Sequence, residues 1–171
     1  QSPSPRRFAE LEVRLLSDRP ESAASLDALA LQFSAPLAQR LVGEIVPLTV
    51  QPGQPTPFRY FVSAGQSPGF DRVALEASVP MAFEAAYVDG QPVAVTVDSL
   101  AAGLGINFGQ RIAAGQEVEI GFVSSVYVQG TRFSAFVEDR GRSPGQRQRV
   151  EAGDASGQVE SSTTVVRLPV G

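Results

Sequence analysis

The sequence contains no cysteine, histidine, lysine or tryptophan. Without cysteine, neither a disulfide framework nor a thiolate metal site can form. Without histidine and lysine, serine–histidine triads, serine–lysine pairs, Schiff bases and histidine acid–base catalysis are excluded, as are the usual zinc sites. Carboxylates are therefore the remaining catalytic groups, and oxygen atoms are the remaining metal ligands.

Acidic residues outnumber basic ones, which gives a net charge of −4, and every basic residue is an arginine. Phosphate binding needs a basic surface, so we expect no nucleic-acid partner. No apolar run approaches the roughly 20 residues of a membrane-spanning helix, so we expect no membrane span. Because the first residue is Gln1, we expect a processed chain or a fragment. Removal of a signal peptide is one ordinary cause, which favours a secreted or cell-surface protein.

Strand and turn signals are what the chain has in quantity, with 16 glycines and 13 prolines. Apolar residues recur at every second position in several runs, which is the pattern of strands with one buried face. The predicted buried faces are Leu29, Leu31 and Phe33; Val73, Leu75 and Ala77; Val118, Ile120, Phe122, Val126 and Val128; and Phe133, Ala135 and Val137. Asp89-Gly90 predicts a two-residue hairpin turn. Only Ala35 to Val42 has a helical pattern. The fold class predicted is all-β, a two-sheet antiparallel β-sandwich of immunoglobulin-like or jelly-roll-like type.

A division after Gly43 is predicted, with residues 44–171 forming the sandwich. Residues 1–43 would add strands to it or end a preceding module. Residues 26–38 (LDALALQFSAPLA) also align with residues 70–82 (FDRVALEASVPMA), six of thirteen positions being identical. This similarity indicates a duplicated strand motif or a chance likeness between two alanine-rich strands.

Between residues 51 and 128, the order of PGQPTPFRYFVSA, FDRVALEASVP, AYVDGQPV and RIAAGQEVEIGFVSSV resembles the immunoglobulin-like modules of bacterial surface and secreted proteins. The chain departs from them by lacking an asparagine-rich turn after the first strand. The resemblance implies a structural or adhesive module, and it supplies no catalytic residues.

Two carboxylate pairs could in principle hydrolyse a glycoside: Glu117 with Glu119, and Glu10 with Glu12. Residues two apart on a strand place their side chains roughly 7 Å apart, within the range of inverting glycosidases. The alternative is an exposed strand face opposite a buried one, and the alternation itself favours that alternative.

Two loop features suggest ligands less strongly. Asp98, Asp139 and Asp154 lie in predicted loops that could supply oxygen ligands to calcium, but the sequence has no Asp-x-Asp-x-Asp spacing. GLGINFG (residues 103–109) has glycines as in a phosphate-binding loop, but no helix pattern follows it. We interpret it as a strand, and we expect no metal or cofactor.

The most charged stretch is residues 137–154 (VEDRGRSPGQRQRVEAGD), which contains Arg140, Arg142, Arg147 and Arg149. Four nearby acids offset these arginines, and Ser-Pro-Gly predicts a turn between them. We interpret the stretch as the charged loop of a hairpin with surface ion pairs. The alternative is a polar contact patch for a protein or an anionic glycan, because arginine suits carboxylate recognition.

Both ends of the chain have strand patterns, in RRFAELEVRLLS and in SSTTVVRLPV. Each could add to a neighbour's sheet edge, giving a homo-oligomer or filament, or pair within its own domain. The predicted function is thus a non-enzymatic, extracellular structural or adhesive β-sandwich protein. The alternative is a carbohydrate-binding module in which Tyr60, Tyr87 or Tyr127 stacks on sugar rings.

Overall fold

The computed structural model describes residues 12–16, 25–29, 36–66, 69–141, 146–157 and 163–169. The chain divides into two compact units, Gln1–Ala35 and Pro36–Gly171. The described residues of the first unit form neither a strand nor a helix. The second unit begins before the division predicted after Gly43, because Leu37 and Leu41 are already part of its core and Gly43 lies inside its first strand.

The second unit is all-β, and its described residues contain no helix. Its strands are β1 (Val42–Val46), β2 (Pro55–Ser63), β3 (Phe70–Glu76), β4 (Met81–Val88), β5 (Gln91–Pro92), β6 (Val95–Leu100), β7 (Gly103–Ile112), β8 (Glu117–Ser125), β9 (Thr131–Arg132), β10 (Ser134–Glu138), β11 (Arg147–Arg149), β12 (Glu151–Ala152) and β13 (Val165–Val166). Sheet 1 has the order β12-β1-β2-β8-β4-β5, and sheet 2 has the order β11-β10-β3-β7-β6. Strands β13 and β9 form a small third sheet. Apart from the parallel β1–β12 pair, all the strand pairs are antiparallel.

One hydrophobic core receives side chains from both main sheets, as expected of a β-sandwich. The predicted faces of β3, β8 and β10 are confirmed. Their fully buried members are Val73, Leu75, Val118, Ile120, Phe122, Phe133, Ala135 and Val137. At the centre, the rings of Phe58, Phe122 and Phe133 have centroids 5.4 to 5.5 Å apart. Val128 was predicted on the same face but is 65% exposed: β8 ends at Ser125, and the chain stays buried only as far as Val126.

The predicted helix at Ala35 to Val42 is wrong. Residues 36–41 are irregular, and β1 begins at Val42. The side chain of Gln148 accepts from the Ala38 N–H (2.9 Å) and donates to the Ala38 carbonyl (2.6 Å), so both backbone groups are bonded outside a helix. Arg40 has a φ of 51°, which a right-handed helix does not allow. The apolar spacing that suggested a helix instead fills one end of the core.

Two local predictions about glycine are confirmed. Asp89 and Gly90 have φ values of 51° and 73° and connect β4 to β5 in a hairpin. The stretch GLGINFG lies in β7, so it is a strand and not a phosphate loop. The duplicated motif corresponds to β3 and the start of β4 in its second copy. Much of its first copy, including Leu31 and Phe33, lies outside the described residues.

One side of the sandwich is closed by a chain segment that passes from one sheet to the other. β11 pairs with β10 in sheet 2, and β12 pairs in parallel with β1 in sheet 1. Between them Val150 is buried, and a Cβ added to Gly43 would lie only 2.7 Å from its Cγ1.

Near its beginning and near its end, the second unit has segments that run parallel to each other and are hydrogen bonded. We call this row of backbone hydrogen bonds the parallel seam. Residues 41–50 hydrogen bond with residues 151–153 and then with residues 163–167. The bonds are Glu151 N to Leu41 O (3.1 Å), Gly153 N to Gly43 O (3.0 Å), Ile45 N to Thr163 O (3.0 Å), Arg167 N to Leu48 O (2.8 Å) and Val50 N to Arg167 O (3.1 Å). The late segment is thereby anchored in its own unit.

On the opposite side of the sandwich, sheet 2 ends at β6 within the part of the chain that the structure describes, and we call this end the open edge. Sheet ends β5, β11 and β12 have two or three residues each, whereas β6 has six. Within the described ranges, β6 pairs with β7 only. Val95 lies opposite Phe108 and Val97 opposite Ile106, both in the core, so the two valines face the core side of the sheet. Even so, Val97 is 37% exposed.

Candidate interaction surfaces

The arginine-rich stretch forms a hairpin in which β10 and β11 pair antiparallel. Arg147 donates to Glu76 on β3 at 2.6 Å and approaches Glu138 at 3.9 Å. Its guanidinium also lies 3.6 Å from the ring centroid of Phe136. Arg149 is exposed and lies opposite Phe136 in the strand register. Arg142 lies outside the described residues.

The loop end of this hairpin, just after β10, is fixed by two further ion pairs. The backbone and the guanidinium of Arg140 both donate to Asp71, at 2.9 and 3.1 Å. Arg111 donates two hydrogen bonds to Asp139, at 2.9 and 3.0 Å, and the Asp139 side chain is fully buried. Planar two-point pairing of this kind is the strongest form of carboxylate–arginine contact. Asp71 and Asp139 therefore hold the arginines Arg140 and Arg111 against the sheet.

The outward face of sheet 2 carries a polar cluster that was not recognised in the sequence. Arg72 extends between Glu138 (3.3 Å) and Asp98 (3.5 Å). Asn107, which is buried, donates to Asp98 at 2.9 Å and to the Thr96 carbonyl at 3.2 Å. Among the described residues, Arg72 Nε and Asn107 Oδ1 have no hydrogen-bond partner.

Glycine makes room for this cluster. A Cβ at Gly105 would collide with the Arg72 guanidinium, and a Cβ at Gly103 would collide with the Leu75 carbonyl. The two glycines are two residues apart in β7, so they face the same side. That spacing is the sequence signal which could have indicated a strand face covered by a neighbouring long side chain.

The three tyrosines named as sugar-stacking candidates lie in different places. Tyr60 points into the core, and its ring is fully buried, so it presents no face to a sugar. Burial raises the pKa of its phenol well above the ordinary value, while Arg149 lowers it by a smaller amount. The hydroxyl has no hydrogen-bond partner among the described residues. In the sequence, Tyr60 lies two residues from both Phe58 and Val62, which are buried on the same face of β2, and this spacing was the signal for a core position.

The other two tyrosines are accessible but separate. Tyr87 is half-buried on β4, opposite Glu119 on one side and Pro92 on the other. Tyr127, after the end of β8, is 65% exposed, and its ring lies over the turn at Gly53. Only Tyr127 therefore offers a broad ring face.

Glu117 and Glu119 face outward from sheet 1, as predicted from the alternation in β8. Burial raises the pKa of Glu117, and the charges of Glu119, Asp89 and Glu44 raise it further. Glu119 lies 3.7 Å from Arg59. Glu12 of the second proposed pair accepts from Arg14 on an exposed segment, and Glu10 lies outside the described residues.

Glu44 is a buried carboxylate on the outward side of β1, opposite Phe61. Its Oε1 accepts from the Ser156 N–H at 2.9 Å and from the Ser156 hydroxyl at 2.5 Å. Its Oε2 has no hydrogen-bond partner among the described residues. Glu44 thus holds the segment that follows β12 against sheet 1.

The three aspartates considered for calcium have different partners. Asp139 binds Arg111, Asp98 binds Asn107, and Asp154 accepts from the Gly157 N–H at 2.9 Å. Within the described ranges, no three histidine, cysteine or acidic residues are grouped so that they could hold a metal ion. No helix in this part of the chain has the length and apolar character needed to cross a membrane.

Comparison with known proteins gives little. No family model matches the sequence, and no curated protein matches it. A solved structure reported as "AvmM Catalyzes Macrocyclization in Alchivemycin A Biosynthesis" is similar over 71% of this chain and 99% of its own, with 13% identity and a TM-score of 0.39. A likeness this distant transfers no activity to the chain.

Proposed function

We propose that this chain is a non-enzymatic structural or adhesive β-sandwich, secreted or at the bacterial cell surface, which associates with further copies through a sheet edge. The observation that carries the proposal is the open edge at β6. Six residues of this strand pair on one side only within the described ranges, and core-facing Val97 is partly exposed there.

An open edge of this kind favours the addition of another strand. Its unpaired backbone groups can bond to an incoming chain, and proteins normally protect such edges with proline, lysine or a bulge. The sequence of β6, VTVDSL, has no proline and a single charged residue, Asp98, and its pairing with β7 is regular. By contrast, edge strand β5 contains Pro92 and has only two residues.

The charged side chains of sheet 2 have structural partners within the chain. Arg72, Arg111, Arg140 and Arg147 are each paired with carboxylates on sheet 2 or at its ends. The raised pKa of Glu117 would suit a general acid, but its neighbour Glu119 is drawn toward Arg59 and not toward a shared substrate site. We therefore assign no catalytic residue.

We favour the immunoglobulin-like type over the jelly-roll type for this sandwich. In sheet 1 the strands β1, β2, β8 and β4 lie side by side in that order, and in sheet 2 the strands β11, β10 and β3 do. Lettered in chain order, these are the ABED and GFC arrangements of an immunoglobulin-like domain, with the β6–β7 hairpin inserted before the fifth strand. An experimental structure in which β8 did not lie between β2 and β4 would contradict this assignment.

The self-association proposal is tested by light scattering over a concentration series. We expect the mass of the natural chain to rise above 18.1 kDa with concentration. Val97→Arg places a charge on the open edge and should return the chain to a monomer. Val128→Arg is the matched control, since Val128 is an exposed valine outside that edge, and it should associate like the natural chain. A natural chain that stays monomeric throughout would refute the proposal.

A second candidate is a carbohydrate-binding module, and the observation that favours it is the exposed ring of Tyr127. Aromatic faces of this kind can stack on sugar rings. In a glycan-binding screen, this candidate predicts saturable binding that Tyr127→Ala abolishes and that Tyr60→Phe leaves unchanged. Binding insensitive to Tyr127→Ala would exclude it.

A further inference from the structure

The open edge at β6 has a counterpart in the described part of the first unit, namely residues 12–16, with the sequence EVRLL. Val13 is 47% exposed and Leu15 is 52% exposed, and the two alternate with Glu12 and Arg14. These residues are not assigned to any strand. The segment therefore has the side-chain alternation of a half-buried strand and leaves its apolar side accessible to solvent.

We propose that residues 12–16 of one copy add to β6 of a second copy as an extra strand of sheet 2. This inference rests on the proposed self-association and names the two segments that meet. Val13 and Leu15 would cover the core side of the edge beside Val97, while Arg14 would face outward beside Asp98. The occupant is thus a defined segment of the same chain.

The strand register supports this pairing in both orientations. Val97 faces the core side and Asp98 the outward side of β6, because Val97 lies opposite buried Ile106. Residues opposite each other in a sheet share a side. Any alignment that places Arg14 opposite Asp98 therefore puts Val13 and Leu15 on the core side, whether the added strand runs parallel or antiparallel.

Charge also favours this segment. The Asp98 carboxylate is 56% exposed and so is accessible to an incoming arginine. In the free chain, Arg14 pairs with Glu12 in a fully solvated contact, which is worth little and is easily exchanged. Residues 25–29 (SLDAL) are a poorer occupant, because Asp27 in place of Arg14 would meet Asp98 with like charge. The late strand β13 is already paired with β9.

Cysteine cross-linking tests the inference against a clean background, because the natural chain has no cysteine. Full-length Arg14→Cys and Asp98→Cys chains are mixed under mild oxidation. Directly opposed strand residues have Cα atoms about 4.5 to 5.5 Å apart, a separation that a disulfide spans. We expect the mixed disulfide dimer to form about tenfold faster than in a mixture of Arg14→Cys with Glu84→Cys, an exposed position on β4.

A second variant avoids altering Asp98 and its bonds within sheet 2. Val13→Asp/Leu15→Asp places charge on the side that would face the core, and we expect it to weaken self-association by at least about tenfold. Leu16→Asp is the matched control: Leu16 is exposed and lies on the other side of the alternation, so its effect should be much smaller.

The outcomes separate the two proposals. If association depends on Val97 but neither the cross-link nor the Val13→Asp/Leu15→Asp effect appears, this inference is overturned and the open-edge proposal stands. If one chain that carries both Arg14→Cys and Asp98→Cys closes a disulfide within a dilute monomer, the segment covers its own edge and the second-copy assignment is wrong. If the natural chain never associates, both proposals are overturned.

Discussion

The two ion pairs at the loop end of the arginine hairpin permit a test of how burial affects the energy of a charge contact. Asp139 accepts two hydrogen bonds from Arg111, and its side chain is fully buried, whereas the side chain of Arg111 is 46% exposed. Asp139→Asn removes the charge and turns an amide N–H₂ toward the guanidinium. Asp139 also accepts a hydrogen bond from the Gly141 N–H at 3.0 Å, and in the variant this bond can form only to the single amide oxygen that remains.

The expected loss follows from these contacts. Breaking a buried ion pair by altering one partner costs about 3–5 kcal/mol. Because Arg111 keeps access to water, we expect a smaller loss of stability than this range, about 2–3 kcal/mol. With a urea dependence of roughly 1–3 kcal/mol per molar, the unfolding midpoint should fall by about 0.7–3 M.

The matched control is Asp71→Asn on β3, which makes the same chemical change in the carboxylate partner of another arginine of this hairpin. Asp71 pairs with Arg140, and both side chains are partly exposed. Its replacement should cost at most about 1 kcal/mol. Both variants are compared with the natural chain by urea unfolding, and the slope must stay constant for the midpoints to report stability. Equal losses in the two variants, or a larger loss in Asp71→Asn, would refute the argument from burial.

Three further outcomes are expected. Since the pKa of Glu117 is raised in the folded state, its ionisation opposes folding as pH rises through that pKa; Glu117→Gln should therefore be more stable than the natural chain at pH 7, and a lower thermal midpoint at that pH would contradict this. Tyr60→Phe removes a buried hydroxyl without a described partner and should raise the free energy of unfolding by about 1 kcal/mol, as measured in urea. In Gly103→Ala the new methyl group meets the Leu75 backbone, so the free energy of unfolding in urea should fall by more than about 2 kcal/mol. In Gly105→Ala it meets only the flexible end of the Arg72 side chain, so the fall should be less than about 1 kcal/mol, and the reverse order would contradict this reasoning.

The parts of the sandwich in which burial alternates from residue to residue, such as β10 and most of β8, are predictable from the sequence. The buried faces of β8 and β10 follow directly from every second residue being apolar, and the Asp89-Gly90 turn follows from its requirement for positive φ. The spacing of apolar residues alone could not distinguish the irregular segment after Pro36 from a helix. That segment is set by Gln148, which contacts it from far along the chain.

The surfaces are less predictable than the core. The cluster around Arg72 depends on strands β3, β6, β7 and β10 lying side by side, and nothing local in the sequence gives that order. Tyr60 could have been assigned to the core, because it alternates along its strand with the apolar residues Phe58 and Val62. The open edge at β6 could not have been predicted from the sequence, because an edge strand is defined by the absence of a second neighbouring strand.

The parallel seam has a mechanical consequence. Residues 41–50 and the segments 151–153 and 163–167 run in the same direction along it. A pulling force applied before residue 41 and after residue 167 would slide the two lines past each other, so that the hydrogen bonds of the seam bear the load together and not one after another. Forced unfolding is governed by the barrier to the first rupture, which such shared loading raises. The seam would act as a clamp under tension.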